Sequence, residues 1–274
     1  MVNSSDALNG DSNRLFVSLR ELLHARELLF TWMQRDFQVR YSHSLLGAAW
    51  AILEPLALMV IFSLIFTIFI PLPTQGIPYP VFAYAAILPW AFFANGLNMA
   101  IPSLVGNMDL VGKIYFPKEI LPLSAILVSF VDFLIASTLF VAMLLYYHIR
   151  ISPWILIAPM ALCVQIILMV GIGILGSAVN VFYHDVRFVI PLILQVWMYL
   201  SPVFYPVSLV GGKLQPFYLL NPMAALIDTY RRVLLQNQPP DWLYLGIAAL
   251  ISILFTLASY SYFKRVEKIF ADLI

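Results

Sequence analysis

Residues 40–70 read RYSHSLLGAAWAILEPLALMVIFSLIFTIFI, and this stretch decides the fold. From Gly47 to Ile70 the one ionisable side chain is Glu54. That run of 24 residues can cross a hydrocarbon layer of about 30 Å as a single helix rising about 1.5 Å per residue. Arg40, Tyr41 and His43 stand just before it. A basic and aromatic collar of this kind anchors an apolar helix at a membrane surface. Glu54 rides inside the apolar run. A carboxylate within a span marks a functional site; one beside Pro55 near the cytoplasmic end could also simply reach water.

The rest of the chain has the same character. Of 274 residues, 62% are hydrophobic and 11% charged, and the mean hydropathy is +0.91. Soluble domains carry about 25% charged residues, so the composition is that of a polytopic membrane protein. The lone cysteine, Cys163, excludes a disulfide framework or a cysteine-based zinc site within one chain. Residues 1–13 are polar, lack an apolar core and are expected to be disordered rather than a cleavable signal.

Working outward, residues 14–46 form the next unit. Leu15, Leu19, Leu22, Leu23, Leu29, Phe30, Met33 and Phe37 recur at helical spacing, with Arg14, Arg20, His24 and Arg35 opposite. This predicts an amphipathic helix lying in the cytoplasmic membrane surface, with Arg26 marking a bend or snorkelling. After Gly47–Ile70, further spans are expected at 81–105, 120–147 (carrying Asp132), 153–180, 189–206 and 242–263. Residues 47–263 are thus a six-span domain, and 264–274 a cytoplasmic tail. With the N-terminus inside, inner segments hold eleven Lys and Arg and outer segments four, which places both termini in the cytoplasm.

Two short cytoplasmic connections, GNMDLVGKIYFPKE at 106–119 and VFYHDVR at 181–187, are charged and aromatic. Interface anchoring alone would explain their rings. The outer segment SPVFYPVSLVGGKLQPFYLLNPMAALIDTYRRVLL at 201–235 is too apolar for a solvated loop and too often interrupted by Pro and Gly for a span. Asn221-Pro222 opens a helix as N-cap and first residue, and Asp228 meets Arg231 and Arg232 at i+3 and i+4. Interrupted helices at membrane depth must be buried in protein or line a cavity. The segment therefore reads as a re-entrant outer lid. The predicted fold class is an all-α membrane protein: six transmembrane helices, an N-terminal interface helix and this re-entrant segment between spans five and six.

RYSHSLLG, AAW and AILEPL within residues 40–56 resemble the start of the permease subunits of ABC-2 polysaccharide exporters, which move O-antigen, teichoic acid or capsule chains across the bacterial inner membrane. NVFYHDVRFVIPLILQVWMYLSPVFYPVSLV at 180–210 and LLNPMAALIDTYRRVLL at 219–235 are similar to their second half. The resemblance covers roughly residues 26–265. It implies a homodimeric permease in the inner membrane, driven by two copies of a separate ABC ATPase that handles ATP and Mg. O-antigen is the foremost cargo, carried on a polyprenyl pyrophosphate. The resemblance further implies that the two cytoplasmic connections dock the ATPase, making Asp109, Lys113, Phe116, Tyr183, His184, Asp185 and Arg187 coupling candidates. The broken segment then gates the outer mouth through Asn221, Pro222, Asp228, Arg231 and Arg232. A pyrophosphate at the cytoplasmic mouth would suit the guanidinium groups of Arg35 and Arg40, beside Tyr41.

Other motifs carry less. Gly171, Gly173 and Gly176 fit G-x-G-x-x-G, but mid-span small residues at Gly173 and Ser177 serve helix packing, with no strand to make a dinucleotide site. Gly106 to Lys113 misses the P-loop spacing and lacks its Ser or Thr. The four histidines show no metal-ligand spacing, and nothing points to nucleic acid. Phe62, Phe66 and Phe69 share one face of the first span at i, i+4 and i+7, and Glu54 lies two turns before on roughly that face. With Trp197, Tyr199, Phe204 and Tyr205 they are candidates for a sugar path, because rings pack on sugar C–H faces without fixing a register; the phenylalanines fit lipid or helix contact equally. Two other functions remain open. A proton-coupled secondary transporter would use Glu54 and Asp132 and should show broken helices in both halves. A polyprenyl-lipid transferase would need clustered carboxylates or a metal.

Overall fold

The computed structural model describes residues 25–42, 44–111, 116–150, 152–211 and 215–272. The expected disordered start at 1–13, the first part of the amphipathic helix at 14–24, Lys113, Gly212 and Lys213 lie outside the described residues. The described residues form helices and turns joined by short connections. Five stretches are long and apolar enough to cross a membrane: Gly47–Phe69, Tyr79–Ala100, Ile120–Tyr146, Pro153–Phe182 and Trp242–Phe270.

Helix α1 is Arg26–Tyr41. A 3-10 turn at Gly47–Ala49 leads into α2, Trp50–Leu64, which ends in a π-turn at Ile65–Phe69. Then come α3 (Tyr79–Ala100), α4 (Ile120–Tyr146) and α5 (Ala158–Phe182). The Ser152 hydroxyl caps the turn before α5 by accepting from the Trp154 N–H at 3.1 Å. Helix α6 is Val186–Tyr199, α7 is Pro222–Leu234 and α8 is Trp242–Val266.

The core forms around α3, whose first half is apolar on every side. Val81, Phe82, Ala83, Tyr84, Ala85 and Ala86 are all buried, as expected of a helix enclosed by others. It packs against α2, α4, α5, α6 and α7. The glycine-rich run of α5 is a packing surface: a Cβ on Gly171 would stand 3.0 Å from the Thr256 Cα on α8, and one on Gly176 would stand 2.7 Å from Ile101. Small residues let these helices approach; Gly173, which the sequence singles out with Ser177, is also buried, a Cβ there standing 3.2 Å from Ala100. By contrast α2 is the least covered of the five long apolar stretches, and in α6 only Leu194 is buried.

Two features depart from the sequence expectation. The fifth expected span, 189–206, holds a helix of only 14 residues, about 21 Å long and short of a hydrocarbon layer of about 30 Å. Beyond Tyr199 the chain turns irregular. Helix α1 also does not keep Leu29, Phe30, Met33 and Phe37 on one packed face. Leu28, Leu29 and Trp32 pack inward while Phe30 is exposed. The helix instead runs along α4: the Ser124 hydroxyl donates to Asp36 at 3.2 Å, and the Tyr41 hydroxyl donates to Asp132 at 2.7 Å. Polar partners on α4 set its path more than an apolar stripe does. Asp132 lies thirteen residues past Glu119 on α4, about 20 Å of helical rise. Arg40 and Tyr41 therefore meet α4 well along its length, at Asp132.

Candidate functional site

Between α2, α3 and α6 lies a cleft of about 260 Å³, closed above by Val203 and Phe204. Its walls are largely apolar, with Leu58, Ile87, Leu194 and Met198. Into it project Glu54 from α2, Asn95 and Asn98 from α3 and Gln195 from α6, with the indole of Trp90 beside them. The Asn95 amide donates to Glu54 at 3.2 Å. A carboxylate and three amides at this depth offer donors and acceptors to a hydroxylated ligand, with the buried rings of Trp90 and Phe204 forming part of the wall. The sequence reading had named Glu54 and Phe204 but not Trp90, Asn95, Asn98 or Gln195. The available signal was amides within otherwise apolar helices.

The ring candidates divide into groups. Phe62 stacks on Phe204 with centroids 3.6 Å apart, and Phe66 lies 6.1 Å from Phe62 and 5.6 Å from Tyr79. Phe69 does not share this face and is 76% exposed. The π-turn at Ile65–Phe69 explains the split, since an i→i+5 turn shifts the register that i, i+4, i+7 spacing assumes. Trp197 points away from the cleft to the core: its ring meets Phe93 edge-on at 5.2 Å and its N–H donates to Asn221 at 2.9 Å. The Tyr205 hydroxyl donates to the Tyr199 carbonyl and meets the Tyr218 hydroxyl, both at 2.9 Å.

The roof over the cleft is fixed by Arg231, which is 2% exposed. Its guanidinium donates to the carbonyls of Val203 at 2.7 Å, Tyr205 at 2.9 Å and Phe82 at 3.3 Å, and to that of Pro202. It also stacks 3.7 Å from the Phe82 ring. Five donors in a planar fork suit this irregular turn. Tyr79 adds a hydrogen bond to the Phe204 carbonyl at 2.8 Å. Asn221 caps α7 by accepting from the Met223 N–H at 3.1 Å, and Pro222 opens that helix. Arg232 pairs with Asp228 at 2.7 Å; burial pushes the Asp228 carboxyl above the usual carboxylate range, and Arg232 offsets part of the rise. Among the gate candidates, Arg231 is thus a core staple, whereas Arg232 is paired along its own helix.

Below the cleft sits a charged cluster. Arg40 pairs with Asp132 at 3.1 Å. Arg40, Glu54, Asn95, Ser129 and Asp132 line one small void. Glu54 and Asp132, distant in sequence, are brought together here. Arg40 is committed to an internal carboxylate, while Arg35 is exposed and donates to Asn107 at 3.2 Å. Burial pushes Asp36 above the usual carboxylate range, offset in part by Ser124 and Arg35. Among the described residues no three His, Cys, Asp or Glu side chains gather as a metal site.

In the two connections expected to face the cytoplasm, Asp109 is exposed on the short helix Met108–Val111. Phe116 is buried and stacks on Trp32 at 6.2 Å, so it belongs to the core rather than to a free surface. Tyr183, His184, Asp185 and Arg187 are exposed together at the start of α6. The buried Asn180 holds this turn by accepting from the Arg187 N–H at 3.2 Å.

A bundle of apolar helices around a polar, aromatic cleft is the architecture of a multi-pass membrane transport protein. Residues 27–235 match the ABC-2 type transporter family model, and the chain belongs to that membrane family. The chain is 27% identical over 259 residues to the O-antigen export system permease protein RfbA of Myxococcus xanthus, covering 93% of this chain and 98% of that one. It is 26% identical over 249 residues to RfbA of Klebsiella pneumoniae, covering 90% and 95%. It is 23% identical over 242 residues to the polysialic acid transport protein KpsM of Escherichia coli, covering 82% and 89%.

Proposed function

We propose that this protein is the channel subunit of an ATP-driven exporter that moves a lipid-linked polysaccharide, foremost O-antigen, across the bacterial inner membrane. The observation that carries this reading is the cleft in which Glu54, Asn95, Asn98 and Gln195 face Trp90 and Phe204. Its mix of amides and rings suits a sugar chain that must slide without a fixed register. The names of the relatives supply the cargo class. The exposed flanks of α2 and α6 suit a homodimer in which two clefts face each other. In this reading α6 and the turn after it make the fifth of six crossings, the segment 201–235 is re-entrant, and both termini are cytoplasmic. ATP and Mg act on two partner ATPase subunits that dock at Asp109 and at Tyr183–Arg187. A cargo pyrophosphate would meet Arg35 first, with Tyr41 and Arg40 deeper; Arg40 must leave Asp132 to engage it.

Co-purification tests this. The permease should bring down an ABC ATPase and raise its hydrolysis when lipid-linked polysaccharide is added. A permease that exports without nucleotide, and stops when a protonophore is added, would favour a proton-driven carrier. That second reading draws on the proximity of Glu54 to Asp132, although Asp132 is held by both Arg40 and Tyr41.

A further inference from the structure

The last turn of the chain, Glu267–Asp272, lies beyond the family match, which ends at residue 235. The sequence suggested a tail there; the described residues fold back onto the helices. Phe270 is fully buried. Its ring lies 6.0 Å from Phe182, at the start of the second cytoplasmic connection, and 5.7 Å from Phe263 of α8. Lys118, at the end of the first connection, reaches the same turn twice: its ammonium donates to the Glu267 carbonyl at 3.1 Å and lies 5.5 Å over the Phe270 ring. Next to it, Glu119 is wholly buried and pairs with Lys264. Glu119 also accepts from the Tyr260 hydroxyl at 3.1 Å, and Lys264 turns further to Glu267 at 2.9 Å.

One short turn thus touches both cytoplasmic connections through separate side chains. We propose that it is a clamp that holds the two connections at a fixed spacing, so that they present one docking surface to the ATPase subunit. The proposal rests on the reading that these connections dock the ATPase. A rigid partner that must touch two patches binds at full strength only when their spacing is preset; otherwise ordering them subtracts from the binding free energy. The exposed docking groups, Asp109 on one side and Tyr183 to Arg187 on the other, make no hydrogen bond to each other among the described residues. Their common support is the buried cluster around Phe270, which includes Phe116 and Phe182. Burying an aromatic ring between elements fixes them far better than exposed ion pairs do. The Glu119–Lys264 pair is buried on its carboxylate side, and removing one partner of such a pair is costly.

The test uses the full-length permease in nanodiscs, titrated with the purified ATPase subunit. The variants are Phe270→Ala, Lys118→Ala, a truncation after Val266, and Phe270→Leu as a substitution that keeps most of the apolar volume. Asp185→Ala serves as a docking control. Phe270→Ala and the truncation should raise Kd for the ATPase at least tenfold, Lys118→Ala about threefold, and Phe270→Leu less than threefold. Hydrogen exchange should rise at 106–119 and 183–187 while the spans stay protected. If Phe270→Ala fails to fold, Lys118→Ala, whose partly buried side chain lies outside the buried core, carries the test. Unchanged Kd in every clamp variant, with weaker binding in Asp185→Ala, overturns the clamp and leaves the docking surface standing. Unchanged Kd in Asp185→Ala as well removes the docking reading and the clamp with it.

Discussion

Replacing Arg231 by lysine separates charge from geometry at the roof of the cleft. The guanidinium serves four carbonyls, those of Phe82, Pro202, Val203 and Tyr205. A lysine ammonium keeps the charge but carries three donors on one atom, and from α7 it cannot span that arc. At least two buried carbonyls lose their partner. Each hydrogen bond to a charged group contributes about 1.5–3 kcal/mol, and each orphaned buried group costs about 1–3 kcal/mol. Loss of the stacking on Phe82 removes about 1 kcal/mol more. Arg231→Lys should therefore destabilise the outer segment by about 3–5 kcal/mol once these overlapping terms are combined. The damage should be local, because the spans keep their own packing. Two readouts report it: the melting temperature in nanodiscs, and the thiol reactivity of Val203→Cys in a background lacking the exposed Cys163. Val203 is fully buried, so the thiol should be inert with Arg231 present and reactive with Arg231→Lys. A variant that melts like wild type and leaves that thiol protected would refute the staple.

Other outcomes follow from the same structure. Asp132→Ala should lower stability by about 3 kcal/mol by leaving Arg40 without its counter-ion, whereas Arg40→Met with Asp132→Leu should recover much of the loss, since paired apolar replacements remove the desolvation penalty; thermal melting of the single and double variants reads this. Asp36→Asn keeps an acceptor for Ser124 and removes a charge that burial disfavours. Because the folded state raises the Asp36 pKa above 3.8, stability is lost as pH rises through the folded value, so Asp36→Asn should melt higher than wild type at pH 8 and converge with it as pH falls towards 4. Gln75→Cys, in the turn between α2 and α3, should label only from the outer side of intact cells. Asn98→Leu should keep ATPase binding yet cut export several-fold, measured as polysaccharide reaching the far side of proteoliposomes.

The sequence disclosed five of the six expected spans because each is a long apolar run, and it disclosed the Asn221-Pro222 helix start because capping chemistry is local. It did not disclose the path of α1. Phe30 and Phe37 fit an apolar stripe, but the partners that set the helix, Ser124 and Asp132, come from 88 and 91 residues further along the chain. Glu54 and Asp132 looked isolated for the same reason: only the packing of α2 and α4 on α3 joins them. Phe69 failed to follow Phe62 and Phe66 because a π-turn is not written in apolar spacing. The amides of the cleft were visible as letters, yet their convergence depends on which faces of α3 and α6 meet. Phe270 carried no signal at all, since one aromatic residue near a terminus gives no period to read.

The central claim is that the cleft between α2, α3 and α6 carries the polymer. A photo-reactive side chain in place of Gln195, which is exposed towards the cleft, tests it most directly. Vesicles holding permease, ATPase and radiolabelled lipid-linked polysaccharide are illuminated with and without ATP. The same probe in place of Leu243, 65% exposed on α8, is the comparison. The account predicts a polysaccharide adduct at position 195 that forms during ATP-driven export, and none at 243. Export that proceeds normally with no adduct at 195, or with an adduct at 243 instead, would contradict it.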